Sequence, residues 1–271
     1  MLTHRGVVYC KHGGAAAAQP LAVSAALSIL QRGGSFIDAG IAASAVLAVI
    51  EPAASHLGGD AFLITHEAST RENLAFNGSG EAPHTADSEE LRNGIPHHGY
   101  KAATVPGLVS TWFAAHERFG KVPMKEILAT AIDYAENGFP ANAGFVRRLR
   151  LHLQQYPDTD IFTNMGISHT IEIGDLIVQK DLAESLKLIA NEGRSAFYTG
   201  EIAKKIIDAT GGWINEKDLN SHQTRVLAPL KIEYKGFNVH GQPPPSQGII
   251  LMEELLLVGG LDLQGRYSNE H

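Results

Sequence analysis

The residues best suited to chemistry gather in three glycine- and proline-broken segments. Asn77-Gly78-Ser79-Gly80-Glu81-Ala82-Pro83 offers a hydroxyl, a carboxylate and glycine-freed backbone amides in one short stretch. Such a loop can present polar groups to a substrate, or it can be a simple glycine-rich turn. Leu57-Gly58-Gly59-Asp60 could cradle an anion with its N–H groups. Its glycines could instead let a helix and a strand pack closely, with His56 packed beside the turn and Asp60 capping or solvated. Gln242-Pro243-Pro244-Pro245-Ser246-Gln247-Gly248 reads as a rigid bend between strand and helix, with Ser246 as helix cap. A polyproline ligand needs a longer run than three prolines.

Other familiar chemistries lack their signatures. The 13 histidines include no helical His-x-x-x-His pair and no Cys/His zinc spacing, so no metal site is expected. His97-His98 falls in a polar loop, where adjacent side chains diverge. Cys10, the 1 cysteine, could be a terminal nucleophile only after removal of the residues before it. Its default reading is a buried residue in an N-terminal strand. There is no Gly-x-Ser-x-Gly elbow, no Walker loop and no Gly-x-Gly-x-x-Gly after a strand. No organic cofactor is implied.

With 271 residues, the chain can bury a substantial core. A net charge of −7 argues against non-specific nucleic-acid binding, which needs a basic surface. A lone cysteine allows no disulfide within the chain and fits a reducing compartment. The apolar run Phe36 to Ile50 carries Asp38 and falls short of the about 20 residues that span a bilayer. No secretory signal is visible, so the expected location is cytoplasmic, with an exported form left open.

The elements that must position these segments can be read from periodicity and punctuation. Pro20 to Arg32 reads as a helix, with Pro20 in the first turn and Gly33-Gly34 at the end. Phe36 to Ile50 is a second helix, apolar nearly all round and so buried on most sides. Glu51-Pro52 stops it, because the residue before proline is pushed out of the helical region. Ala61 to His66 and Leu74 to Phe76 form a hairpin about Glu67 to Glu72. The polar stretch His84 to Gly99 is an exposed excursion. Helices follow at Leu108–Phe119, Met124–Asn137, Arg147–Gln155, Asp181–Asn191 and Gly200–Thr210, several closed by glycine. Leu230 to Tyr234 and Phe237 to His240 pair about Lys235-Gly236, and Gly248 to Val258 is a last, strongly apolar helix. No repeat and no internal boundary is visible, so residues 1–271 are read as one unit. Hairpins beside helical blocks point to α+β rather than alternating βαβ.

A series of short motifs adds a resemblance. Pro20-Leu21-Ala22 with Gly33-Gly34-Ser35-Phe36-Ile37-Asp38-Ala39 opens it. Thr104-Val105-Pro106-Gly107, Phe119-Gly120-Lys121-Val122-Pro123 and Glu136-Asn137-Gly138-Phe139-Pro140 follow. Then come Gly174-Asp175, Gln179, Asp181-Leu182-Ala183, Phe197-Tyr198-Thr199-Gly200, Gly211-Gly212, Lys217-Asp218-Leu219 and Pro243-Pro244-Pro245-Ser246. In this order, over nearly the whole chain, they resemble the large-subunit half of the γ-glutamyltransferase family of N-terminal-nucleophile hydrolases.

The resemblance implies an αββα sandwich made by autocleavage of one precursor, here incomplete and with a helical large-subunit region. It implies glutathione hydrolysis or γ-glutamyl acyl transfer by a threonine at the start of the second subunit. That nucleophile would lie beyond His271, so no catalytic residue is assigned within the chain, which would be inactive alone. The implied partner is the nucleophile-bearing small subunit. Substrate-binding positions fall at Ser79, Gly80 and Glu81. Glutathione-cleaving members place at Ser79 an arginine that pairs with the substrate α-carboxylate, and a related subgroup places one at Glu81. A carboxylate at Glu81 leaves open a non-glutamyl amide substrate. A non-catalytic remnant serving as a binding module is the other alternative. Half a sandwich alone would expose sheet edges and apolar faces such as Leu255-Leu256-Leu257.

Overall fold

A computed structural model describes residues 7–261 except 87, 88, 90, 93, 158 and 159. Positions 87, 88, 90 and 93 of the expected excursion His84 to Gly99 therefore lie outside the described residues. Its described positions are mostly exposed.

Two packed helices form the centre. α1 (Pro20–Gln31) begins with proline in its first turn. α2 (Phe36–Ile50) begins with a reciprocal cap: the Ser35 hydroxyl accepts Asp38 N–H, and the Asp38 carboxylate accepts Ser35 N–H. Alanines on both helices, such as Ala22, Ala26, Ala42 and Ala45, are buried, which lets the axes approach closely. A hairpin follows, of β1 (Phe62–Glu67) and β2 (Glu72–Asn77). Its second strand runs longer and its turn shorter than periodicity suggests, while the first keeps its length one residue on, with Arg71 at φ 58 closing the reversal.

A 3₁₀ turn at Tyr100–Ala102 leads to α3 (Leu108–Phe119) and α4 (Met124–Asn137). The short β3 (Phe139–Pro140) precedes α5 (Ala143–Gln155). This helix starts earlier than expected, because the Asn142 side chain caps it through Phe145 N–H at 2.9 Å. Next come α6 (Ile161–Asn164), β4 (Leu176–Ile177), which pairs with β3, and α7 (Lys180–Glu192). α8 (Arg194–Tyr198), α9 (Glu201–Ala209) and α10 (Glu216–Ser221) complete the helical layer.

β5 (Arg225–Leu227) returns to pair antiparallel with β2, making a sheet ordered β1-β2-β5. β6 (Leu230–Tyr234) and β7 (Phe237–Gly241) form a separate hairpin, followed by α11 (Gly248–Gly259). Gln242 ties that hairpin to the main sheet by donating to the Leu63 and Phe76 carbonyls. The Ser246 hydroxyl accepts Gly248 N–H at 3.0 Å, so it caps the bend just ahead of the helix, whose N-cap residue is Gln247.

The fold is mixed helix and sheet, as α+β reading expects. One core gathers α1, α2, α3, α4 and α7 around Trp112, Leu128, Leu186 and Ile189. Apolar side chains also face outward: Phe62 and Ile64 on β1, Val226 and Leu227 on β5, and Leu256 and Leu257 on α11. No helix among the described residues is long and apolar enough to cross a membrane.

Two expectations are corrected. Cys10 is exposed in an irregular segment rather than buried in a strand, because the residues around it, from Val7 to His12, have no sheet to join. His56 is exposed rather than packed, because the turn that follows α2 carries it outward.

Candidate functional site

The strongest site candidate is the loop Asn77–Glu81, which leaves the end of β2 and is held by backbone carbonyls and amides and by the Asn77 and Asp60 side chains. Asn77 is buried; its side chain donates to the Pro244 carbonyl at 3.1 Å and accepts Ser79 N–H at 3.1 Å. Gly78 N–H donates to the Ala61 carbonyl, and Gly80 N–H donates to the Asp60 carboxylate at 3.0 Å. The Glu81 carbonyl accepts Val105 N–H at 3.1 Å. One step on, Asp218 takes His84 N–H at 2.8 Å and the His84 ring.

Close approach explains the glycines. A Cβ on Gly80 would fall on the Val105 carbonyl oxygen, and one on Gly107 would fall on the Gly78 carbonyl oxygen. The two backbones therefore lie in direct contact, which no larger residue permits. The result is a rigid platform from which Ser79 and the exposed Glu81 project. Gly58-Gly59-Asp60 serves this platform. The Gly59 carbonyl accepts both Gly107 N–H and Leu108 N–H at 2.9 Å, tying the turn to the start of α3. Asp60 is exposed, as a solvated carboxylate should be, yet it also clamps the loop.

Beneath the platform lies a layer that sequence reasoning missed. The Tyr198 hydroxyl donates to the Pro106 carbonyl at 2.8 Å and accepts Ser110 N–H at 3.0 Å. Burial pushes this hydroxyl far above its ordinary range, so it stays a phenol. The Arg194 guanidinium lies over the Tyr198 ring at 4.3 Å and donates to the His222 carbonyl. The His222 ring stacks on Tyr198 with centroids 5.7 Å apart, and it is 7% exposed. Burial, with the Arg194 charge second, holds His222 below its ordinary value, against the opposing pull of Asp60 and Glu81. Its Nε2 is buried without a hydrogen-bond partner. Tyr198 stood within a recognised motif, but nothing local in the sequence marks Arg194 or His222.

Asp218 resists burial's upward push on its carboxyl. Hydrogen bonds from Asn215 N–H, His84 N–H and the His84 ring together hold it below the usual carboxylate range. It also completes a reciprocal cap with Asn215 on α10. The pair His84–Asp218 is thus an anchor for the loop's outgoing end.

Elsewhere the candidates separate. His97 and His98 are exposed, as is Cys10, which lies far from the loop in sequence. Among the described residues, no group of three or more His, Cys, Asp or Glu side chains could hold a metal ion.

Residues 22–271 match the family model described as Gamma-glutamyltranspeptidase. The chain is 38% identical over 238 residues to the glutathione hydrolase-like YwrD proenzyme of Bacillus subtilis, covering 84% of this chain and 45% of that protein. Its fold superposes on a Helicobacter pylori γ-glutamyltranspeptidase with a TM-score of 0.90 at 30% identity, covering 97% of this chain and 80% of that one. A cephalosporin acylase from Bacillus halodurans superposes with a TM-score of 0.91 at 31% identity, covering 98% of this chain and 52% of that one. The chain spans just under half the length of the curated relatives it matches. By sequence over nearly all its length, and by fold, the chain belongs to the gamma-glutamyltranspeptidase family.

Proposed function

We propose that this chain is the large-subunit part of a γ-glutamyltransferase-like enzyme that hydrolyses or transfers acyl groups from small amides. It forms outer helices and part of an αββα sandwich and one wall of the substrate pocket, with Ser79, Gly80 and Glu81 at that wall. The nucleophile is the N-terminal threonine of a second chain cut from the same precursor. The observation that carries this reading is the family match over residues 22–271 on a chain that spans 45% of a proenzyme relative. The outward apolar side chains of β1, β5 and α11 support it, since they offer a surface for the second chain to cover.

The chemistry balances without a cofactor. The threonine hydroxyl adds to the amide carbonyl and its proton passes to the free α-amine of the same residue. The tetrahedral oxyanion, held by backbone N–H groups, collapses and expels the amine leaving group with that proton. Water then cleaves the acyl ester, or a second amine takes the acyl group.

The test is intact mass under denaturing conditions, with turnover of γ-glutamyl-p-nitroanilide. Two chains, the smaller beginning with threonine, and release of nitroaniline are expected. A lone 29.1 kDa species without turnover would leave a binding module in place of an enzyme. A second reading within the family is a non-glutamyl amide substrate. It is favoured by Glu81, an exposed carboxylate that would repel a substrate α-carboxylate.

A further inference from the structure

Two side-chain amides stitch the proline bend Gln242–Ser246 to the strand that leads into the loop Asn77–Glu81, one from each side. Gln242 Nε2 donates to the Leu63 and Phe76 carbonyls, each at 2.9 Å, which fixes the bend against the β1-β2 pair. Asn77 Nδ2 reaches the other way, to the Pro244 carbonyl at 3.1 Å across 167 positions. Phe76 and Asn77 are the last two residues of β2, so both ties fall where the loop begins. Pro243, Pro244 and Pro245 have no N–H to offer, and their rings fix φ. The backbone of the bend can join a neighbour only through its carbonyls, and Asn77 supplies the donor.

The Asn77 amide is fully committed. The residue is 1% exposed. Its Oδ1 accepts Ser79 N–H at 3.1 Å, a side-chain turn that stands in for a backbone turn. A carbonyl at one end and an N–H at the other fix which way the amide points. Gly78, between the two residues, cannot move toward α3, because a Cβ there would already fall on the Thr111 hydroxyl.

We propose that Asn77 is a positioning residue, which takes its place from the Pro244 carbonyl and passes it to Ser79. The proline bend, rather than the loop's own composition, then sets where Ser79 and Glu81 stand. The inference rests on the acyl-transfer reading above, in which those two residues face the substrate. Asn77 itself touches no reacting atom. An aspartate at this position keeps the acceptor for Ser79 N–H but sets a second oxygen against the Pro244 carbonyl. A serine keeps a shorter acceptor and loses the reach to Pro244.

The experiment uses the complete two-chain protein, with γ-glutamyl- and butyryl-p-nitroanilide as donors and KM read on whichever is turned over. Asn77→Asp and Asn77→Ser are compared with Asn142→Ala. That control removes an amide of the same kind at the start of α5, where it accepts Phe145 N–H and donates to Gln19. Each Asn77 variant should raise KM about fivefold, the factor one hydrogen bond carries, with kcat changed less than about twofold. Asn142→Ala should lower the melting temperature and leave KM in place. An unchanged KM in the Asn77 variants, or an equal rise in Asn142→Ala, overturns the inference and leaves the acyl-transfer reading intact. A fall in kcat at constant KM overturns it too, since Asn77 would then serve the reacting atoms. If neither Asn77 variant matures into two chains, Pro244→Ala decides: it keeps the carbonyl but frees the bend, so a raised KM supports the inference and an unchanged one overturns it. No turnover of either donor by the unmodified protein overturns the acyl-transfer reading and this inference with it.

Discussion

The Asp60 carboxylate accepts the Gly80 N–H at 3.0 Å, so the turn after α2 holds the loop after β2. Two glycine-rich segments that look independent in sequence form one support, with the start of α3 between them.

Removing that clamp should loosen the loop without unfolding the protein. Asp60→Ala leaves the Gly80 N–H to water and removes about 1 kcal/mol of loop stability. Steady-state kinetics of the two-chain enzyme should show KM raised more than kcat is lowered. Asp60→Asn keeps an acceptor oxygen and should recover most of the loss. Equal falls in kcat for both variants would mean that the carboxylate acts on the reacting atoms instead.

Gly80→Ala should do more damage than its size suggests. The added methyl falls on the Val105 carbonyl oxygen, and backbone cannot swing aside as a side chain would. The strain should cost about 1–3 kcal/mol, lowering the melting temperature by several degrees. Gly40→Ala meets nothing within 4 Å and is the matched control. If the two variants melt together, the platform is softer than its contacts indicate.

Asp38 is the main polar support of the helical core. It is fully buried, and its carboxylate accepts N–H from Ser35 at 2.8 Å, Lys121 at 3.0 Å and Val122 at 3.1 Å. It thus caps α2 and fixes the chain between α3 and α4. Asp38→Ala strands several buried donors and should destabilise by about 3 kcal/mol or more. Chemical denaturation should show a midpoint shift at constant m-value. Asp38→Asn retains one acceptor oxygen and should fall between.

Much of this support is legible in the sequence. Pro20, Gly33-Gly34 and Glu51-Pro52 mark where α1 and α2 start and stop, because those residues act through local backbone sterics. Asp38 stood out as the charge in an otherwise apolar helix. β5 was not legible: three residues carry too little pattern, and their partner β2 lies about 150 positions earlier. The same holds for the site. The loop Asn77–Glu81 announces itself by composition, but its anchors Asp218 and Tyr198 meet it across 134 and 92 positions respectively, counted from their bonds to His84 and Pro106. Spatial neighbours of that kind leave no trace in spacing. Cys10 and His56 were misplaced for a related reason: a side chain with an apolar body is buried only where a neighbouring element covers it, and none covers these two.

His222 should make stability depend on acidity. Its value in the fold is lowered from 6.5, by burial first and by Arg194 second. The unfolded chain therefore takes up a proton at His222 before the folded protein does. On that account stability is complete above about pH 6.5 and declines as pH falls toward the lower folded value, below which no further loss accrues from this group. Asp218 has the same sign in a lower window: its carboxyl is held below 3.8, so its contribution is present above that value and disappears only in stronger acid. Melting temperatures of the protein and of His222→Gln, taken from about pH 7.5 to about pH 5, separate the two effects. The glutamine variant should start less stable, having lost the ring stacked on Tyr198, and should show a shallower decline across that range. Parallel curves for the two proteins would mean that His222 titrates freely in the fold, and that its environment is wetter than its burial implies.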